Sequence, residues 1–309
     1  MARVTSSRRT FLGAAAGSVL AAAARADGDD VRVAVIGTGS RGSDHLRALS
    51  TLDGVKVVGV ADDYEPHRTR AAALAGLAAK AFADYRQLLD ALKPQAVVIA
   101  VPLALHFRVA SDVLAAGCDV YLEKSMCYTL DAARTLAAAA EKSGRVFQVG
   151  LQRRANPIYD QARDMIAAGL IGKVTAVRCQ WHRNTTWRRP VPVAKTDPTF
   201  AALDRRLNWR LYKETSRGLL TELASHQMDV VNWLLGTHPQ RVWAAGGVDL
   251  LRDGRDVFDN VYCVYDYDLP GGTDGKPYTV RAASPSICGN AYDGASEPVM
   301  GTTATLLLT

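Results

Sequence analysis

The chain has 309 residues, 48% of them hydrophobic and 22% charged, with a formal charge of +6. Loss of the first 26 residues would remove four arginines and no acid, taking +6 to +2, so the basic balance is no argument for nucleic acid. The 283 residues that follow can bury a large core and suit two domains.

Ser7-Arg8-Arg9-Thr10-Phe11-Leu12 opens an apolar stretch, Gly13 to Ala24, that closes with Ala24-Arg25-Ala26. This is the pattern of a twin-arginine export signal ending in an A-x-A cleavage site. It predicts a partner, the twin-arginine translocase, and a periplasmic or otherwise extracytoplasmic location. The stretch is too short and alanine-rich to anchor in a bilayer, and no later segment spans one. That route carries proteins folded and loaded with cofactor, so an enzyme exported by it is expected to hold its cofactor tightly.

Val31–Ile36 is a β-branched run interrupted by Arg32, the pattern of a strand buried in a parallel sheet. Gly37, Gly39 and Gly42 follow in G-x-G-x-x-G spacing and lead into a helix reaching about Ser50. In a strand–turn–helix context the first glycine makes the turn, the second admits a pyrophosphate and the third lets helix and strand pack closely. Gly37, Thr38, Gly39, Ser40, Arg41 and Gly42 are therefore expected to bind a dinucleotide. A second strand, Val55–Ala61, ends in Asp62, placed to hydrogen-bond a ribose 2′-hydroxyl and repel a 2′-phosphate. NAD is the expected cofactor, and Arg41 beside the loop leaves NADP open.

Strand–helix alternation continues. Helices are predicted over Pro66–Ala79, Tyr85–Leu92, Leu105–Ala116 and Leu130–Lys142, and strands over Ala96–Val101, Asp119–Leu122 and Val146–Val149. This is an α/β pattern, a doubly wound parallel sheet over residues 27–150. From residue 151 onward the chain reads differently. A helix (Pro157–Ala168) is followed by an alternating run (Lys173–His182), an aromatic and arginine-rich loop, and a helix (Leu219–Leu235). Longer strands are predicted at Arg241–Val248, Val257–Tyr267, Pro277–Ala283 and Ala304–Leu308. They predict a second α/β domain with a largely antiparallel sheet and one wet face. The five cysteines (Cys118, Cys127, Cys179, Cys263, Cys288) are scattered and odd in number, which indicates neither a zinc site nor a disulfide framework.

Glu123-Lys124-Ser125 falls at the carboxyl end of a parallel strand, the edge where such sheets bind ligands. A lysine there is able to polarise a substrate oxygen; a surface Glu–Lys pair is the plainer alternative. At helical spacing Glu222, His226 and Asp229 share a stripe that Trp233 continues, while Leu223, Val230, Val231 and Leu234 lie opposite. A histidine between carboxylates suits proton transfer. Glu222 and His226 also have metal-ligand spacing, but one histidine on the stripe favours no metal. Trp181, His182, Arg183, Trp187, Arg188, Arg189, Trp209 and Arg210 interleave aromatics with donors, as a polyol requires. The extra arginines suit a carboxylate or phosphate on that sugar, or else a solvated loop or subunit contact.

VIGTGSRG, VVIAVPLALH, AAGCDVYLEKS, GLIGKV, GLLTELASHQMDVVNWLLG and GTTATLLL, in this order, resemble the Gfo/Idh/MocA family, named for glucose–fructose oxidoreductase, inositol 2-dehydrogenase and a rhizopine-catabolism protein. The resemblance runs from Val31 onward. It implies a Rossmann domain followed by a substrate and oligomerisation domain, a homo-oligomer, and hydride transfer between NAD(P) and a sugar or polyol. It assigns Lys124 and His226 as catalytic and Glu222 as the acid partner of His226. Pro102, His106, Glu123 and Lys124 join the cofactor contacts, and Arg153, Trp181, His182, Trp209 and Asp229 the substrate contacts. The same family includes enzymes that oxidise, eliminate and re-reduce a glycoside with no net redox change, and a non-catalytic sugar- or cofactor-binding relic is the third reading. Three departures stand out: Ser125 replaces the usual proline, Glu222 replaces aspartate, and Ala304 stands at the usual closing glycine. The sequence also ends, at Thr309, earlier than is expected for exported members, the pattern of a shortened C-terminus.

Overall fold

The computed structural model describes residues 30–271 and 275–308. The export signal expected over residues 1–26 lies outside the described residues. The chain forms two compact units that divide between Leu151 and Gln152.

The first unit alternates strand and helix: β1 (Val31–Ile36), α1 (Ser40–Leu49), β2 (Val55–Ala61), α2 (Glu65–Ala75), β3 (Lys80–Phe82), α3 (Tyr85–Leu92), β4 (Ala96–Ile99), α4 (His106–Ala115), β5 (Asp119–Glu123), α5 (Leu130–Ser143) and β6 (Phe147–Gly150). The six strands are parallel, in the order β3-β2-β1-β4-β5-β6. The two-residue period of a strand explains why β1 is apolar nearly throughout. Val31, Val33 and Val35 pack with Leu46, Leu49 and Ala71 on one face, while Ala34 and Ile36 pack with Val109, Val113 and Leu136 on the other. Both faces are covered, so only Arg32 of this strand reaches solvent. The helix expected to run to Ala79 stops at Ala75, because Gly76 takes a φ of +87° that helical geometry does not allow.

The second unit contains α6 (Pro157–Ala167), β7 (Val174–Arg178), β8 (Gln180–Asn184), α7 (Phe200–Leu207), a π-helical turn (Leu220–Ala224), α8 (Ser225–Leu235), β9 (Arg241–Gly247), β10 (Asn260–Leu269), β11 (Tyr278–Ile287), β12 (Gly289–Ser296), β13 (Val299–Gly301) and β14 (Thr305–Leu306). These eight strands form one mixed sheet. β10–β11, β9–β10, β8–β12, β7–β13 and β13–β14 are antiparallel, and β11 runs parallel to β7 and β8. Val230, Val231 and Leu234 of α8 seat on Val174, Val177, Val280 and Ala282, so the apolar side of the predicted helix meets the sheet.

Three expectations change here. The run Lys173–His182 is two strands, broken at Cys179, whose N–H donates to the Ala283 carbonyl (2.8 Å). The arginine-rich loop contains α7. The helix predicted over Leu219–Leu235 begins with the π turn, which widens the spacing on which the Glu222–His226 stripe was drawn. Among the described residues no helix is long and apolar enough to cross a membrane.

Candidate active site

In the first unit the candidate residues gather at the carboxyl ends of β1, β2, β4 and β5. Gly37 has a φ of +82°, and a Cβ on it would lie 2.7 Å from the Ala100 backbone. A Cβ on Gly42 would lie 1.9 Å from the Gly37 carbonyl oxygen, so helix α1 closes against the turn as only glycine permits. At Gly39 the nearest atom would be a His67 ring carbon 3.7 Å away, which leaves this approach open. The N-terminus of α1 starts immediately behind it, at Ser40. A tight turn, an open glycine and a helix N-terminus fit a pyrophosphate.

Asp62 is built into that loop. Its Oδ2 accepts the Thr38 N–H (2.7 Å) and hydroxyl (3.2 Å), and its Oδ1 accepts the Tyr64 N–H (2.9 Å). Burial raises the carboxyl's pKa, but neighbouring His67 and these donors outweigh it and hold Asp62 below the usual carboxylate range. The Thr38 side chain is fully buried and faces Asp62.

Glu123 is equally fixed, and the surface-pair alternative does not hold. Its Oε1 accepts from Arg41 Nε (2.9 Å) and faces His45 Nε2 (2.8 Å), and its Oε2 accepts the Lys124 N–H (3.3 Å). Burial alone would raise its pKa; His45 and Arg41 reverse this and bring it to about 2. Arg41, expected at the cofactor, thus spends its Nε on Glu123.

His106, also expected at the cofactor, is buried, with Nδ1 2.7 Å from the Ser125 carbonyl oxygen and Nε2 3.0 Å from that of Val101. Its ring ties the residue after Lys124 to the end of the β4 segment. Pro102 sits between, capping a 3₁₀ turn at Leu103–Leu105. The Lys124–Ser125 peptide is cis.

In the second unit His226 lies on α8 with its ring centroid 5.4 Å from that of Trp181 on β8. Arg153 and Arg183 bring their guanidinium carbons to 5.5 and 5.3 Å from the Trp181 ring. Trp181 and Arg183 share a face of β8, whereas His182 alternates to the other, as does Gln180, whose amide bonds Asp293. His182 therefore does not join the Trp181 cluster. Glu222 is buried and accepts from Arg210 Nε (2.8 Å) and Ser216 Oγ (3.4 Å). Arg210 in turn stacks on Trp209 at 4.3 Å.

Asp229 is taken by another partner. Both its oxygens accept from Arg154 in a forked pair (2.7–2.9 Å), and Arg154 lies over Trp233. The carboxylate expected one turn past His226 is thus already matched.

One group was not anticipated. Glu297, fully buried, accepts from Arg153 Nη1 (2.7 Å), the Tyr159 hydroxyl (2.8 Å) and Gln227 Nε2 (3.0 Å). Burial pushes its pKa up in spite of these donors. It fixes both Arg153 and the residue next to His226. A lone acid in Ser296-Glu297-Pro298-Val299, just before an apolar strand, was its visible signal. Among the described residues no cluster of three His, Cys, Asp or Glu side chains could hold a metal.

Residues 31–151 match the family model of the Gfo/Idh/MocA oxidoreductases with an NAD-binding Rossmann fold, and residues 159–276 match the C-terminal domain of the same family. Inositol 2-dehydrogenase 1 of Saccharopolyspora erythraea is 33% identical over 276 residues, which cover 83% of this chain and 75% of that one. The chain belongs to the Gfo/Idh/MocA family. The rhizopine catabolism protein MocA of Rhizobium meliloti is 29% identical over 209 residues; the match takes 67% of this chain and spans 58% of the relative's length. Among solved structures, GenD2 from gentamicin A biosynthesis in complex with NAD superposes with a TM-score of 0.72 at 25% identity, covering 90% of this chain and 72% of that one. Family membership accounts for the Rossmann sheet and for the mixed sheet of the second unit alike.

Proposed function

We propose that this Gfo/Idh/MocA chain is a dehydrogenase that removes a hydride from a sugar or polyol CH–OH onto tightly held NAD. The observation that carries the reading is the phosphate loop, where a Cβ on Gly42 would stand 1.9 Å from the Gly37 oxygen while Gly39 stays open. Relatives named as inositol 2-dehydrogenases support the substrate class. When bound, the nicotinamide supplies a hydride acceptor.

The chain supplies the rest. His226 takes the hydroxyl proton, and Lys124 donates to an oxygen on which negative charge develops. Glu222, held by Arg210 and Ser216, is the acid partner that orients the histidine. Glu123 and His106 hold the backbone on either side of Lys124.

Asp62 favours NAD, because an ionised carboxylate repels a 2′-phosphate. Mass analysis of the dinucleotide released on denaturation is expected to find NAD, and NADP as the main species would overturn this specificity. The Arg8-Arg9 signal supports export of the folded, loaded protein. Changing both arginines to lysine is expected to leave the protein in the cytoplasm; normal export of that variant would remove the inference.

A further inference from the structure

The arginines of the second unit are not equivalent once each is matched with its acid. Arg153 pairs with Glu297, Arg154 with Asp229 and Arg210 with Glu222. Arg188 pairs with both Asp204 and Asp253, and Arg255 with Asp253. Arg183 has no such match: among the described residues no carboxylate pairs with it, and its Nε is buried without a hydrogen-bond partner. It lies between two indoles, its guanidinium carbon 5.3 Å from the Trp181 ring and 5.6 Å from the Trp187 ring. Trp181 is the same ring that lies against His226.

A half-buried guanidinium without a counter-ion is costly, because burial strips its hydration and the two indole faces replace only part of it. Burial lowers its pKa, and nearby Arg210 lowers it further, both acting against the charged form. The surplus here is one positive charge on a planar fork of donors flanked by apolar ring faces. That is the complement of one planar anion attached to a ring with apolar faces.

Resting on the dehydrogenase reading above, we propose that the substrate is a sugar acid whose carboxylate is bound by Arg183 against Trp181 and Trp187. A phosphate dianion fits less well, since of the two arginines over Trp181 only Arg183 lacks a carboxylate among the described residues. The neutral parent sugar leaves Arg183 uncompensated and binds more weakly.

Glucuronate, gluconate, glucose and glucose 6-phosphate are titrated against the NAD-loaded protein by calorimetry and by tryptophan fluorescence, and the same compounds are assayed for NAD reduction. The carboxylates are expected to bind about 10- to 100-fold tighter than glucose, the worth of a charge-assisted hydrogen bond. In Arg183→Gln that ratio should fall toward one, and Arg183→Lys should restore part of it. Arg178→Gln, at an exposed arginine on β7, controls for net charge and should keep the full ratio. Thermal melts and NAD retention show whether each variant is folded; if Arg183→Gln is not, the wild-type ratios and Arg183→Lys still decide. Equal affinity for acid and neutral sugar in the wild type, a preference for the phosphate, or an undiminished ratio in a folded Arg183→Gln would overturn the proposal. Arg183-dependent carboxylate binding with no NAD reduction would uphold it while contradicting the dehydrogenase reading. Reduction by neutral sugars alone would do the reverse.

Discussion

Replacing His226 with alanine is expected to cost roughly 10²–10⁴-fold in turnover while the protein keeps its NAD. The size is that of a positioned acid–base group. Cofactor retention follows because Gly37–Gly42 and Asp62 belong to the first unit and His226 to the second. Lys124→Ala is expected to cost about 10²–10³-fold, the usual loss for one electrostatic donor to a developing oxyanion. If both groups act on one oxygen, the double variant will be little worse than the worse single one. Glu222→Gln should cost less than either, since it keeps the shape of the side chain that Arg210 and Ser216 hold. Steady-state rates, with dinucleotide content measured on each variant, check all four. Rates within a few-fold of wild type with cofactor bound would mean that other residues carry the chemistry.

Glu123→Gln is the second large effect, and it falls on stability. The carboxyl's pKa drops from 4.5 to about 2 on folding because His45 and Arg41 face it in a buried site. A depressed acid contributes stability that is complete above the unfolded pKa and is lost as pH falls through the folded one. The window is therefore about pH 4.5 down to about pH 2. A shift of this size corresponds to something on the order of 3 kcal/mol near neutral pH. Denaturant unfolding should show the variant weaker by that order near pH 7, and the gap should narrow steadily below about pH 4.5. A gap independent of pH would assign Glu123 a packing role only. The variant should also turn over more slowly, because Glu123 Oε2 accepts the N–H of Lys124.

Local chemistry was legible in the sequence, and long-range pairing was not. The glycine loop could be read because its requirements are met within twelve residues: a strand, a turn, an open approach and a helix start. β1 was equally plain, since burial on both faces demands an unbroken apolar run. The stripe Glu222–His226–Asp229 was legible only in part. Its apolar side was right, and Val230, Val231 and Leu234 do meet the sheet. Its polar side assumed a continuous α-helix, which the π turn at Leu220–Ala224 interrupts, and a free Asp229. Arg154, 75 residues away, takes that carboxylate. Glu297 was missed for the same reason, because its donors Arg153, Tyr159 and Gln227 lie 144, 138 and 70 residues off. No periodicity reports a contact of that kind. His106 was assigned to cofactor by resemblance and Thr38 by its place in the glycine loop; neither reading foretold that burial turns the His106 ring toward backbone carbonyls and the Thr38 hydroxyl toward Asp62.

The central claim is that this chain moves hydride from a sugar or polyol carbon to its bound nicotinamide. Mixing the purified, NAD-loaded protein with a panel of neutral sugars, polyols and sugar acids tests it most directly, with the near-ultraviolet absorbance of reduced nicotinamide as the readout. A rise to one equivalent per bound cofactor with at least one of these compounds, absent in His226→Ala and Lys124→Ala, is the expected result. No rise with any of them, an undiminished rise in both variants, or glycoside cleavage without net reduction would contradict it.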